Sequence, residues 1–85
     1  MNNVMNFKIV GELYSKSPIT HIAFDMVDEK EHIFYGQAFN YDWGGNGYIC
    51  RVVVTGADEV FNKALSLYKR GVNMFNVGVG IVIIE

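Results

Sequence analysis

The sequence predicts an α+β domain: an antiparallel meander of four strands, one helix, and a C-terminal fifth strand, in the order β-β-β-β-α-β. Three observations predict it. Early segments alternate with period two or carry β-branched and aromatic runs, and polar or glycine-rich turns separate them. A later segment places apolar residues at helical spacing behind a helix-start signal. The last segment is apolar on both sides, as in a strand buried on both faces.

The first strand is expected over Met5 to Tyr14, with Gly11 marking a bulge, and Ser15-Lys16-Ser17-Pro18 forms the turn after it. Thr20 to Val27 alternates cleanly: Ile22, Phe24 and Met26 on one side, His21, Ala23, Asp25 and Val27 on the other. Asp28-Glu29-Lys30-Glu31 is a polar turn. His32 to Tyr41 is the aromatic-rich third strand, and Trp43-Gly44-Gly45-Asn46-Gly47 closes a hairpin onto Tyr48 to Thr55. Thr55-Gly56-Ala57-Asp58 matches the Ser/Thr-x-x-Asp/Glu start of a helix from about Ala57 to Arg70. Val60, Phe61, Ala64, Leu65 and Tyr68 form its apolar stripe, and Gly71 is its expected cap. Val77 to Glu85 returns as the final strand. Gly78 and Gly80 point to one side of it, which suggests that the helix or another backbone presses there. No repeat, linker or low-complexity tract interrupts the chain, so residues 1–85 read as one domain.

The hairpin turns suggest a register. Phe24 would face Tyr35, Asn40 would face Cys50, and Arg51 would lie opposite Phe39 and stack on its ring. One face then holds small residues: His21, Ala23, Gly36, Ala38, Cys50, Val52 and Val54. The other holds Ile22, Phe24, Met26, Ile33, Tyr35, Phe39, Tyr41, Ile49 and Val53, with Gln37 and Arg51 among them. Small side chains let a helix approach closely, so the helix is placed on the first face. The second, aromatic face is left needing a cover.

Composition sharpens that need. The chain is 51% hydrophobic and 19% charged, against about 25% charged in typical globular proteins. A domain of this size has a thin stability margin, and Cys50 alone cannot form an internal disulfide. Apolar surplus without a staple points to a homo-oligomer or a protein partner. The net charge of −2 argues against nucleic acid, whose binders are basic. No segment approaches the ~20 apolar residues that span a bilayer. Met1 to Asn6 lacks the basic and apolar regions of a secretory leader, and a free cysteine fits a cytoplasmic setting.

Chemistry-bearing residues are sparse. His21, His32 and Cys50 do not assemble a nucleophile, base and orienting group, and Cys50 reads as a small buried hydrophobe. The histidines and the one cysteine offer no zinc spacing. Asp25, Asp28, Glu29 and Glu31 lack the alternation and central glycine of a calcium loop. Lys63, Lys69 and Arg70 read as a solvated helix face. Neither a cofactor, a metal nor a catalytic residue is expected.

The candidate binding residues are Tyr35, Phe39, Tyr41, Trp43, Tyr48 and Arg51, because aromatics and arginine dominate protein-interface hot spots. The expected function is non-catalytic, stoichiometric protein binding through this aromatic surface. Immunity proteins and phage-encoded inhibitors of host defence, such as anti-CRISPR proteins, act in this way; the analogy rests on size and lack of motif. One alternative is a small-molecule or single-stranded nucleic-acid binder that stacks on the same face. Another is an enzyme completed only at an oligomer interface.

Overall fold

The computed structural model describes residues 4–14, 17–43, 48–78 and 80–84. The elements are β1 (Val4–Ile9), β2 (His21–Asp28), β3 (Ile33–Phe39), a 3-10 turn (Tyr41–Trp43), β4 (Tyr48–Thr55), α1 (Asp58–Lys69), β5 (Met74–Asn76) and β6 (Ile81–Ile83). One antiparallel sheet holds all six strands in the order β5-β2-β3-β4-β1-β6. The fold is thus α+β, an antiparallel sheet with one helix.

Two details of the expected topology change. Only β2, β3 and β4 form a meander; β1 lies beside β4, with Phe7 opposite Val54 and Ile9 opposite Val52. That placement adds Met5 and Phe7 to the side of the sheet that carries Val52 and Val54, and leaves the outer edge of β2 to β5. The C-terminal run is two strands rather than one. Gly80 adopts φ +72, a conformation that side chains disfavour, and turns the chain back. Val77 then bridges Val82, and the Gly78 N–H donates to the Ile81 carbonyl at 2.9 Å. The expected pressure on these glycines is absent: a Cβ on Gly80 would meet nothing within 4 Å, and one on Gly78 only Ile81 at 3.5 Å. The run is also not buried on both faces, since Val82 and Ile84 are enclosed while Ile83 is exposed.

β5 and β6 stand at opposite ends of the sheet order, yet the Val77–Val82 bridge joins them. The sheet therefore curls until its edges touch. Its inner face carries Met5, Ile22, Phe24, Phe34, Gly36, Ala38, Cys50, Val52, Val54, Phe75 and Val82, and α1 adds Val60, Phe61 and Ala64 to the same core.

The register of β2 against β3 differs by one residue from expectation. Phe24 faces Gly36, and a bulge at Asp25 then sets Met26 opposite Tyr35. Asp28 shapes the turn by accepting from the Lys30 and Glu31 N–H groups at 3.1 and 3.0 Å, and His32 leaves it at φ 56. One residue of slip exchanges the faces of a strand. Ile22 and Phe24 therefore join the small residues inside, while His21 and Ala23 move out. Between β3 and β4 the slip is two residues, Ala38 rather than Asn40 facing Cys50, and the faces survive except at Ile49, which was expected on the aromatic face and is instead buried in the core at the bulge between Ala38 and Phe39. The helix does cover the face of Gly36, Ala38, Cys50, Val52 and Val54.

Helix α1 starts after Ala57 with no side-chain cap, because Thr55 remains in β4. Asp58 is instead tied to His32, whose Nδ1 lies 3.0 Å from its carboxylate while the imidazole stacks on Phe61. The helix ends as expected at Gly71 (φ +92): its N–H donates to the Tyr68 carbonyl, and that of Val72 to Leu67. A Cβ on Gly71 would touch nothing, so only backbone strain opposes a side chain there. Gly71→Ala is expected to cost about 1 kcal/mol, read as a shift in urea midpoint at constant slope. An unchanged midpoint would contradict the left-handed cap.

Candidate functional site

The outward side chains of β2, β3 and β4 form rows across the strands. His21, Phe39 and Tyr48 make the first, Ala23, Gln37 and Arg51 the second, and Met26, Tyr35 and Val53 the third. A sheet face left to water usually alternates to polar residues. Here the first and third rows are largely apolar or aromatic, and α1 lies on the other side of the sheet.

Local hydrogen bonds set the rings at one end of this face. The buried Asn40 donates to the Pro18 carbonyl at 2.8 Å and accepts from the Asp42 N–H at 2.9 Å, which holds the 3-10 turn. The Tyr41 N–H donates to the Thr20 hydroxyl at 2.8 Å. Tyr41 is thereby held beside His21, with ring centroids 5.0 Å apart, and is 57% exposed. His21 also stacks on Phe39 at 5.8 Å. Tyr48 packs on Tyr14 at 5.3 Å, because the Tyr14 N–H donates to the Ile49 carbonyl and carries the loop after β1 alongside β4.

Of the sequence-derived candidates, Tyr35, Phe39, Tyr48 and Arg51 share the outer face, and Tyr41 stands at its end. The Tyr35 and Phe39 rings are half-buried, and their own chain does not enclose them. Trp43 closes the 3-10 turn, but its side chain and the glycine loop at 44–47 lie outside the described residues.

Arg51 differs from expectation. It faces Gln37 rather than Phe39, and its guanidinium reaches across β3 to Asp25, with Nη1 2.5 Å and Nη2 3.4 Å from the two carboxylate oxygens. The bulge at Asp25 makes this possible, since it turns that carboxylate outward next to Met26. Asp25 thus belongs to the face and not to an acidic turn. Sequence reasoning also missed Tyr14 and His21 as members. Tyr14 sits at the end of a run whose strand ends at Ile9, and His21 was assigned to the other side of β2 by the one-residue slip.

A shallow notch of about 170 Å³ lies within the face, lined by Ala23, Gln37, Phe39 and Tyr48. A larger groove of about 340 Å³ opens near the β5–β6 seam, lined by His21, Leu67, Val72, Met74, Phe75 and Ile83.

The groups that carry chemistry elsewhere are kept apart. Cys50 faces inward and is fully buried, and burial pushes its thiol up from the ordinary range, which keeps it protonated at neutral pH. His21 projects from the opposite side of the sheet, contrary to the expected shared face. Glu29 pairs with Lys69 at 3.3 Å. Among the described residues, no three His, Cys, Asp or Glu side chains gather where a metal could bind, and no helix is long and apolar enough to cross a membrane. Comparison of the chain with protein-family models, curated proteins and solved structures gives no match, so the outer face of β2–β4 is assigned as the candidate site on its geometry alone.

Proposed function

We propose that this chain is a non-catalytic protein-binding module that works by masking, with the outer face of β2–β4 as its contact surface. One observation carries the reading: two of the three outer rows of β2–β4 are largely apolar or aromatic, and α1 lies on the other face of the sheet. Exposed apolar area of this kind marks an interaction site. The residue types fit, because aromatics and arginine supply large contact area at low entropic cost. Tyr41 and Tyr48 stand at the rim, Phe39 and Tyr35 nearer the centre, and the Asp25–Arg51 pair gives the face a fixed polar feature. Stoichiometric occlusion, as practised by immunity proteins and phage-encoded inhibitors, needs nothing beyond such a surface.

Photo-crosslinking tests the reading. A benzophenone side chain replacing Phe39 or Tyr48 is expected to give light-dependent protein adducts in cells. The same group replacing Lys63, on the exposed side of α1, is expected to give none. Equal adduct yields at all three positions, or none at 39 and 48, would refute the assignment of this face.

A further inference from the structure

The charges on the face point to what covers it. We infer that, until a target displaces it, the occupant of this surface is a second copy of this chain, related by a two-fold axis that runs along β3; this deepens the protein-binding reading and rests on it. In the rows from His21 to Met26, the charged side chains on the outer faces of β2, β3 and β4 are Asp25 and Arg51, and they neutralise each other. Beyond them the same face carries one further charge of each sign, Lys8 opposite Val53 and Asp28 opposite Ile33, so it stays neutral and offers no excess of either sign to a strongly acidic or basic partner. The chain as a whole carries −2, so two copies repel weakly except where the meeting surfaces are neutral.

The placement of the two charges is self-complementary. Asp25 is on β2, Arg51 is on β4, and β3 runs between them. A two-fold axis along β3 lays β4 of each copy over β2 of the other. Arg51 then meets Asp25 of the second copy, Asp25 meets its Arg51, and β3 lies over β3. Residue i meeting j while j meets i is the signature of a closed two-fold interface. Tyr35 and Phe39 fall near the axis, where rings bury the most area, and Tyr48 of each copy falls over His21 of the other. Two sheets meeting in this way form a sandwich with layers about 10 Å apart. The pair that is half-exposed in one protomer becomes a four-charge cluster with alternating signs, which sets the register of the two copies.

Sedimentation of paired charge variants tests this. Arg51→Asp leaves the centre of the face with two acidic groups, and Asp25→Arg leaves it with two basic ones. The full chain is expected to be a dimer at micromolar concentration. Each variant alone is expected to shift to monomer, with at least a tenfold weaker self-association, and an equimolar mixture is expected to recover a one-to-one dimer. A contact within one chain cannot be restored by mixing, so recovery separates the two cases. Should either variant fail to fold, Gln37→Glu serves instead: it keeps Arg51 and Asp25, places like charges opposite each other near the axis, and is expected to weaken the dimer similarly. A wild-type chain that stays monomeric at about 100 μM, variants that dimerise as well as wild type, or a mixture that fails to recover the dimer would each overturn the inference. Crosslinked adducts from position 39 or 48 that contain a foreign protein would then leave the protein-binding reading intact.

Discussion

Replacing Phe34 by alanine is expected to remove about 3–5 kcal/mol of folding stability, the usual cost of emptying a buried ring site. Phe34 is fully buried and lies at the meeting point of sheet and helix. Its ring stacks on Phe24 at 4.4 Å, tilts against Phe61 at 5.0 Å and meets the edge of Tyr68 at 5.8 Å. The truncation therefore loses contacts to β2 and to two turns of α1 together. The surrounding rings are held by the closed sheet, so little collapse into the void can soften the loss. Folded domains hold about 0.05–0.15 kcal/mol per residue, so a chain of 85 residues holds about 4–13 kcal/mol and loses a large share of it. Urea unfolding followed by far-UV circular dichroism should show the midpoint fall steeply at unchanged slope. A loss below about 1.5 kcal/mol would mean that the ring is not at the centre of the core. Tyr41→Ala, at an exposed ring, is the contrasting substitution and is expected to fall within about 0.5 kcal/mol of wild type.

Gly36→Ala is expected to be nearly as damaging although it adds one carbon. A Cβ at Gly36 would lie 2.5 Å from the Ala23 carbonyl oxygen, 3.2 Å from its carbonyl carbon and 3.2 Å from a methyl of Ile22. Two of those obstacles are backbone, fixed by the ladder between β2 and β3, and neither can rotate away. The close approach comes with the bulge that follows Phe24, so relieving it means moving the segment that carries Asp25. A cost of about 2–3 kcal/mol follows from the usual penalty for overpacking. For a domain of this size that lowers the melting temperature by about 10–20 °C. An alanine variant that melts with wild type would show that the strands do not approach so closely.

How far the sequence was legible follows from these same features. β4 is legible to the residue, since the run Val52-Val53-Val54 sits between a glycine loop and a helix start. The helix is legible to within a residue at each end, because its apolar spacing and its glycine cap are both local signals. The aromatic face is legible through β3 and β4, where a two-residue error of register preserves the faces except at Ile49, which a bulge sends into the core. What failed was β2. A bulge at Asp25 and a left-handed His32 leave no distinctive mark in the sequence, and together they reversed the side assigned to Ile22, Phe24, His21 and Ala23. The same error hid the Arg51–Asp25 pair, which exists because the bulge turns Asp25 outward. Tyr14 was hidden for another reason: its place beside Tyr48 depends on a loop hydrogen bond between residues distant along the chain.

The joining of β6 to β1 has a kinetic meaning. Val4 pairs with Ile83 and Met5 with Val82, so the two ends of the described chain are neighbours in one ladder. Contacts this remote in sequence carry the largest entropic delay before they are rewarded. Growth of the structure from the local β2–β3–β4 hairpins thus stays incomplete until Val82 drops into the slot beside Met5, and any nascent chain lacking that last segment carries an unzipped flank. Closure rests on the β1–β6 ladder, the pairing most remote in sequence among the described strands.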